Sequence, residues 1–217
     1  MAGVKSSGSP WATARTAFWT AFLRSLKARG LGGVQLVISD AHTGLKQAIS
    51  AVLLGAAWQR CRVHFLRNVL AQVPKGSAEM VAAAIRTIFA QPDAAHVRKQ
   101  LGVIAGMLGR QSVKVETTLR DAAEDLLAFT DFPPAHWKKI WSTNPLERLN
   151  KEVKRRTDVV GVFPNPEALL RLAGAVLVEA HDEWQATDRR YLGEATMALL
   201  ATPSEPTAVA TPELMTA

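Results

Sequence analysis

Cysteine occurs once, at Cys61. That excludes a disulfide framework and fits a reducing cytosol. No apolar run approaches the ~20 residues a membrane span requires. The opening "MAGVKSSGSPWATARTAF" has no apolar h-region and is not a secretory signal. No phosphate-cradling glycine motif is present. Acidic residues are scarce, 19 against 26 Lys and Arg, leaving a formal net charge of +7 and a pI near 9.9. Such a surplus suits a polyanionic partner, most commonly nucleic acid, and equally a basic protein with no special partner. The rest is ordinary for a globular chain: 48% hydrophobic and 21% charged among 217 residues, enough for one or two domains with a real core.

Residues 1–17 form a lead-in rich in Ser, Ala and Thr, predicted to be disordered. "FWTAFLRSLKARG" (18–30) has helical spacing, with Phe18, Phe22, Leu23 and Leu26 on one face. "VQLVIS" (34–39) is a buried-strand signal and "WQRCRV" (58–63) a second one. Helical patterns lie at 43–55 and 64–73. This alternation over residues 18–74 predicts an α/β layer. Residues 75–135 carry helical periods with no strand signal, so an all-helical insertion is expected, closed by "DFPPAHW". The returning part, 136–192, holds a helix near 144–156 and a long one from Pro166 to about Thr187. The tail 193–217 reads as mostly disordered.

Asp40 follows the first strand and precedes a helix. It suits a metal-holding carboxylate at the carboxyl end of a sheet, or a cap for the helix that follows. In "STNPLERLNKEVKRRT" (142–157), Asn144 suits an N-cap and Pro145 the first turn, which places Glu147 where a capping-box glutamate sits. A first-turn carboxylate can instead face a metal in a cleft, and one carboxylate cannot do both at once. Arg148, Lys151, Lys154, Arg155 and Arg156 crowd the same helix. They make either a strip for DNA phosphates or a solvated face with internal pairs such as Arg148–Glu152. Cys61 and His64 form a C-x-x-H; without a second Cys, a closed four-ligand zinc site is not expected. A nucleophile–base pair and a core cysteine within a strand are the other readings.

The blocks "FLRSLKARGL", "LVISDAHTGLKQAI", "WQRCRVHFLRN" and "STNPLERLNKEVKRRTDVVGVFPN", ending in "DEWQATDRRYL", resemble mutator-type transposases of bacterial insertion sequences. The resemblance runs from about Phe18 to Leu192. It implies an RNase H-like core split by a helical insertion, in which an Asp-Asp-Glu set binds two divalent ions, usually Mg2+, for DNA cleavage and strand transfer. By motif position Asp40 corresponds to the second aspartate, Glu147 to the glutamate, and Cys61 and His64 to a C-x-x-H near the core. Double-stranded DNA, at element ends and target, is the implied partner, together with a homo-oligomer or full-length transposase. No Asp or Glu precedes Asp40, so the position of the first aspartate has no counterpart. The expectation is therefore the C-terminal part of a transposase: catalytically incomplete by itself, or a DNA-binding remnant. Its partial sheet is expected to leave an edge exposed.

Overall fold

The computed structural model describes residues 10–186 and 191–201. The expectations for residues 1–9 and 202–217 lie outside that range. The chain is helix-rich around one small parallel sheet. Helix α1 (Pro10–Ala28) leads into β1 (Leu36–Ser39), α2 (Thr43–Val52), β2 (Ala57–Arg60) and α3 (Arg62–Leu70). The helical segment expected as an insertion follows as α4 (Ala78–Ile88), α5 (Ala94–Gly109), α6 (Val113–Asp121) and α7 (Ala123–Leu127), and helix continues past the expected end at residue 135 in α8 (Pro134–Ile140). The chain returns through α9 (Asn144–Val160), α10 (Pro166–Ala186) and α11 (Glu194–Ala201).

Strand β1 pairs with β2 in parallel, Leu36 opposite Ala57 and Ser39 opposite Arg60. Alternation along the strands sends side chains to opposite faces. Leu36 and Ile38 pack on the larger core, built from α3 and the insertion and centred on Phe65, Leu119, Leu126 and Phe129. Val37 and Trp58 pack on a smaller core of Leu23, Ala48, Ile49 and Val52, between α1 and α2. Gln59 fastens the insertion to the sheet. Fully buried, it donates to the Leu126 and Arg60 carbonyls and accepts from the Phe129 amide, each at 2.8 Å.

Several boundaries differ from the sequence expectation. Helix α1 begins at Pro10, inside the segment read as a lead-in. Its inward face carries Trp19, Leu23 and Leu26, while Phe18 and Phe22 are exposed. Cys61 is not within a strand: it is the N-cap of α3. Its amide still continues the ladder to the Ser39 carbonyl at 2.8 Å, but the next amide, of Arg62, is taken by the Trp141 carbonyl at 3.0 Å. That diversion turns the chain into a helix. Helix α9 runs past the expected end and stops at Gly161, whose φ of 73° suits glycine. Helix α11 occupies part of the segment read as tail. Among the described residues no helix is long and apolar enough to cross a membrane.

Candidate functional site

The carboxyl end of β1 meets the start of α3 and the first turn of α9, and the candidate residues gather there. Asp40 leaves β1 without capping α2. That role belongs to His42, whose Nδ1 accepts from the Leu45 amide at 3.1 Å. Asp40 Oδ1 instead lies 2.7 Å from His64 Nδ1. The approach is off the axis of a ring N–H, and Nδ1 is buried without a hydrogen-bond partner. The close distance and the missing hydrogen bond are therefore both true: the two atoms are near each other but not aligned for a hydrogen bond.

Glu147 is likewise free of the expected cap. The N-cap of α9 is Thr143, one residue before Asn144, and it makes no side-chain cap bond. A capping box would tie the glutamate to the N-cap amide. Here that amide points to Cys61 Sγ at 3.4 Å. The Thr143 hydroxyl lies 3.3 Å from the same sulfur and 3.1 Å from Glu147 Oε1. Glu147 Oε1 also lies 3.5 Å from His64 Nε2. One imidazole thus stands between two carboxylates that the whole insertion separates in sequence. The Asp40 side chain is 54% exposed and that of Glu147 30%, so the site opens to solvent.

Ligand atoms of Asp40, Cys61 and His64 all lie within 4.8 Å of one another. Two residues given no role in the sequence reading contribute here. Thr143 links Cys61 to Glu147, and its signal was no more than a hydroxyl beside the cap. Arg60, next to Asp40 in charge, has its guanidinium over the Phe65 ring at 4.9 Å, and burial pulls its pKa down against the nearby Asp125 and Asp40 charges.

The basic helix divides into two sets. Arg155 grips Glu152 through two hydrogen bonds of 2.9 and 2.7 Å. Arg156 bonds Glu152 and, on α10, Glu179, both at 2.8 Å. With two guanidinium partners, the Glu152 carboxyl is held down at about 2. The Arg148–Glu152 pair does not form, because Glu152 is taken by the arginines that follow it. Arg148, Lys151 and Lys154 make no ion pair among the described residues. At helical spacing, Lys151 and Lys154 continue the face of Glu147.

Residues 11–187 match the family described as Transposase, Mutator family. The chain belongs to that family. The transposase for insertion sequence element IS1081 of Mycobacterium tuberculosis is 53% identical over 175 residues, covering 81% of this chain and 42% of that protein. The transposase for insertion sequence element ISRM5 of Rhizobium meliloti is 43% identical, covering 79% and 43%. The transposase for IS256 in transposon Tn4001 of Staphylococcus aureus is 40% identical, covering 80% and 45%. This mutator-family chain therefore spans less than half the length of these relatives. The matched region contains Asp40, Cys61, His64 and Glu147 together.

Proposed function

We propose that this chain carries part of a transposase's DNA cleavage and strand-transfer site, on a partial RNase H-like core, with Asp40 and Glu147 as its metal-holding carboxylates. The supporting observation is that both carboxylates are released from helix capping and brought to one imidazole, His64. A parallel strand pair with a helical crossover, and an aspartate at the carboxyl end of β1, suit such a core.

Mg2+ favours oxygen donors and keeps several waters. Asp40 and Glu147 offer solvent-facing oxygens of that kind, both beside His64. Among the described residues these are the two carboxylates that pair with His64, and Asp125, the other acid whose charge reaches Arg60, is held by Lys46 at 2.6 Å, so a single ion is proposed. When bound, a divalent ion supplies charge stabilisation to a reacting phosphodiester. The chain's own residues do the remaining work. Arg148, Lys151 and Lys154 attract the DNA backbone along α9, and Thr143 holds the Glu147 carboxylate in place.

Titration with Mn2+, followed by its electron paramagnetic resonance signal, tests this reading. One site is expected, weakened at least about tenfold by Asp40→Asn and by Glu147→Gln. Element-end duplex incubated with the chain and Mg2+ is expected to remain uncut, because Asp40 and Glu147 are proposed to hold one ion. Mn2+ affinity that survives both substitutions together would defeat the carboxylate assignment. Cleavage that both substitutions abolish would defeat the one-ion reading. The cations of α9 that make no ion pair among the described residues favour a second reading, a non-catalytic DNA-binding remnant, in which Mn2+ binding is absent and duplex binding through α9 remains.

A further inference from the structure

The geometry points to a second kind of occupant at this place: a thiophilic divalent ion of the zinc class, held by Asp40, Cys61 and His64 with one position open to solvent. Three independent features converge. The ligand atoms of one carboxylate, one sulfur and one imidazole lie within 4.8 Å of one another, close enough for small side-chain shifts to bring all three onto one ion. The mixture of O, S and N donors matches borderline metals, whereas Mg2+ takes oxygen.

The state of the sulfur is the second feature. Cys61 is fully buried at the N-terminus of α3, and two donors of Thr143 point at its Sγ, at 3.4 and 3.3 Å. Both donors meet the sulfur as an acceptor, the role it would also play toward a metal. The third feature is His64. Its Nδ1 is buried with no hydrogen bond, yet sits 2.7 Å from Asp40 Oδ1. A cation held between that nitrogen and that oxygen gives each of them a partner. The opposite nitrogen, Nε2, faces Glu147 at 3.5 Å, the carboxylate–imidazole–metal arrangement that orients metal-bound histidines. Among the described residues three such donors gather here. The site proposed is the open, three-ligand kind.

The inference shares Asp40 with the proposed Mg2+ site but uses different partners, and Co2+ separates the two. Titrating the metal-free full chain with Co2+ is expected to give a near-ultraviolet sulfur-to-cobalt charge-transfer band and strong visible bands of low coordination number. His64→Gln and Asp40→Asn are each expected to weaken Co2+ binding at least about tenfold, and Cys61→Ser to remove the charge-transfer band. Circular dichroism of each variant reports whether the fold is kept, and His64→Gln, at a partly exposed position, serves if Cys61→Ser does not fold. Glu147→Gln is expected to keep the band while lowering Mn2+ affinity, so failure of the Mg2+ reading leaves this test intact. A native chain giving only the weak spectrum of six-coordinate Co2+ overturns the proposal. A thiolate band whose affinity is unchanged in His64→Gln and in Asp40→Asn also overturns it, since it would belong to the cysteine alone.

Discussion

Replacing Arg148, Lys151 and Lys154 together with glutamine is expected to flatten the salt dependence of duplex binding, whereas replacing Arg155 and Arg156 is expected to change it little. The two arginines are already matched: they share Glu152, and Arg156 also holds Glu179. A cation neutralised by a carboxylate displaces few counterions from DNA. The other three make no ion pair among the described residues and are available to phosphates. Each phosphate neutralised on B-DNA contributes about 0.9 to the slope of log affinity against log salt, so the triple variant loses about 2.7 of slope. Between 50 and 200 mM salt, the native chain would then lose roughly fortyfold more affinity than the triple variant. Fluorescence anisotropy of a short labelled duplex at several salt concentrations measures this directly. The division into paired and free cations is refuted if Arg155→Gln with Arg156→Gln flattens the slope as much as the triple variant. The phosphate strip itself is refuted if the triple variant leaves the slope unchanged.

Gln59→Leu strands the buried Leu126 carbonyl and Phe129 amide, at about 1–3 kcal/mol for each orphaned group. Urea denaturation is therefore expected to show a stability loss of about 2–6 kcal/mol, and a loss below about 1 kcal/mol would mean that Gln59 does not fasten the helical segment to β2. The Glu152 carboxyl is lowered from 4.5 to about 2 by its arginine partners, so its contribution to stability is present above about pH 4.5 and fades as pH falls toward 2. Thermal midpoints measured across that window are expected to fall less steeply in Glu152→Gln than in the native chain, and identical slopes would contradict the pairing.

The element types were legible because apolar spacing carries them. Both strands, the helical insertion and the long C-terminal helices follow from periods that the cores then use, as Val37 and Ile38 show by facing opposite cores. Boundaries were less legible because they rest on distant hydrogen bonds. Cys61 reads as a strand residue until the Trp141 carbonyl takes the Arg62 amide. Trp19 rather than Phe18 or Phe22 faces inward on α1, because α2 and Trp58 lie on that side. Asp40 and Glu147 were visible as candidates, but each had a local capping role that fitted equally well.

The sequence by itself determined the residue types and their order: Asp40 after an apolar strand, Cys61 and His64 three apart, Glu147 in a helix's first turn, and the blocks that place the chain in the mutator family. Tertiary structure decided which roles those residues are free to play. His42 takes the cap of α2, Thr143 turns its amide and hydroxyl to Cys61, and two arginines claim Glu152. Each polar group has few bonding directions and several partners within sequence reach. The choice among them is made by groups that only folding brings near.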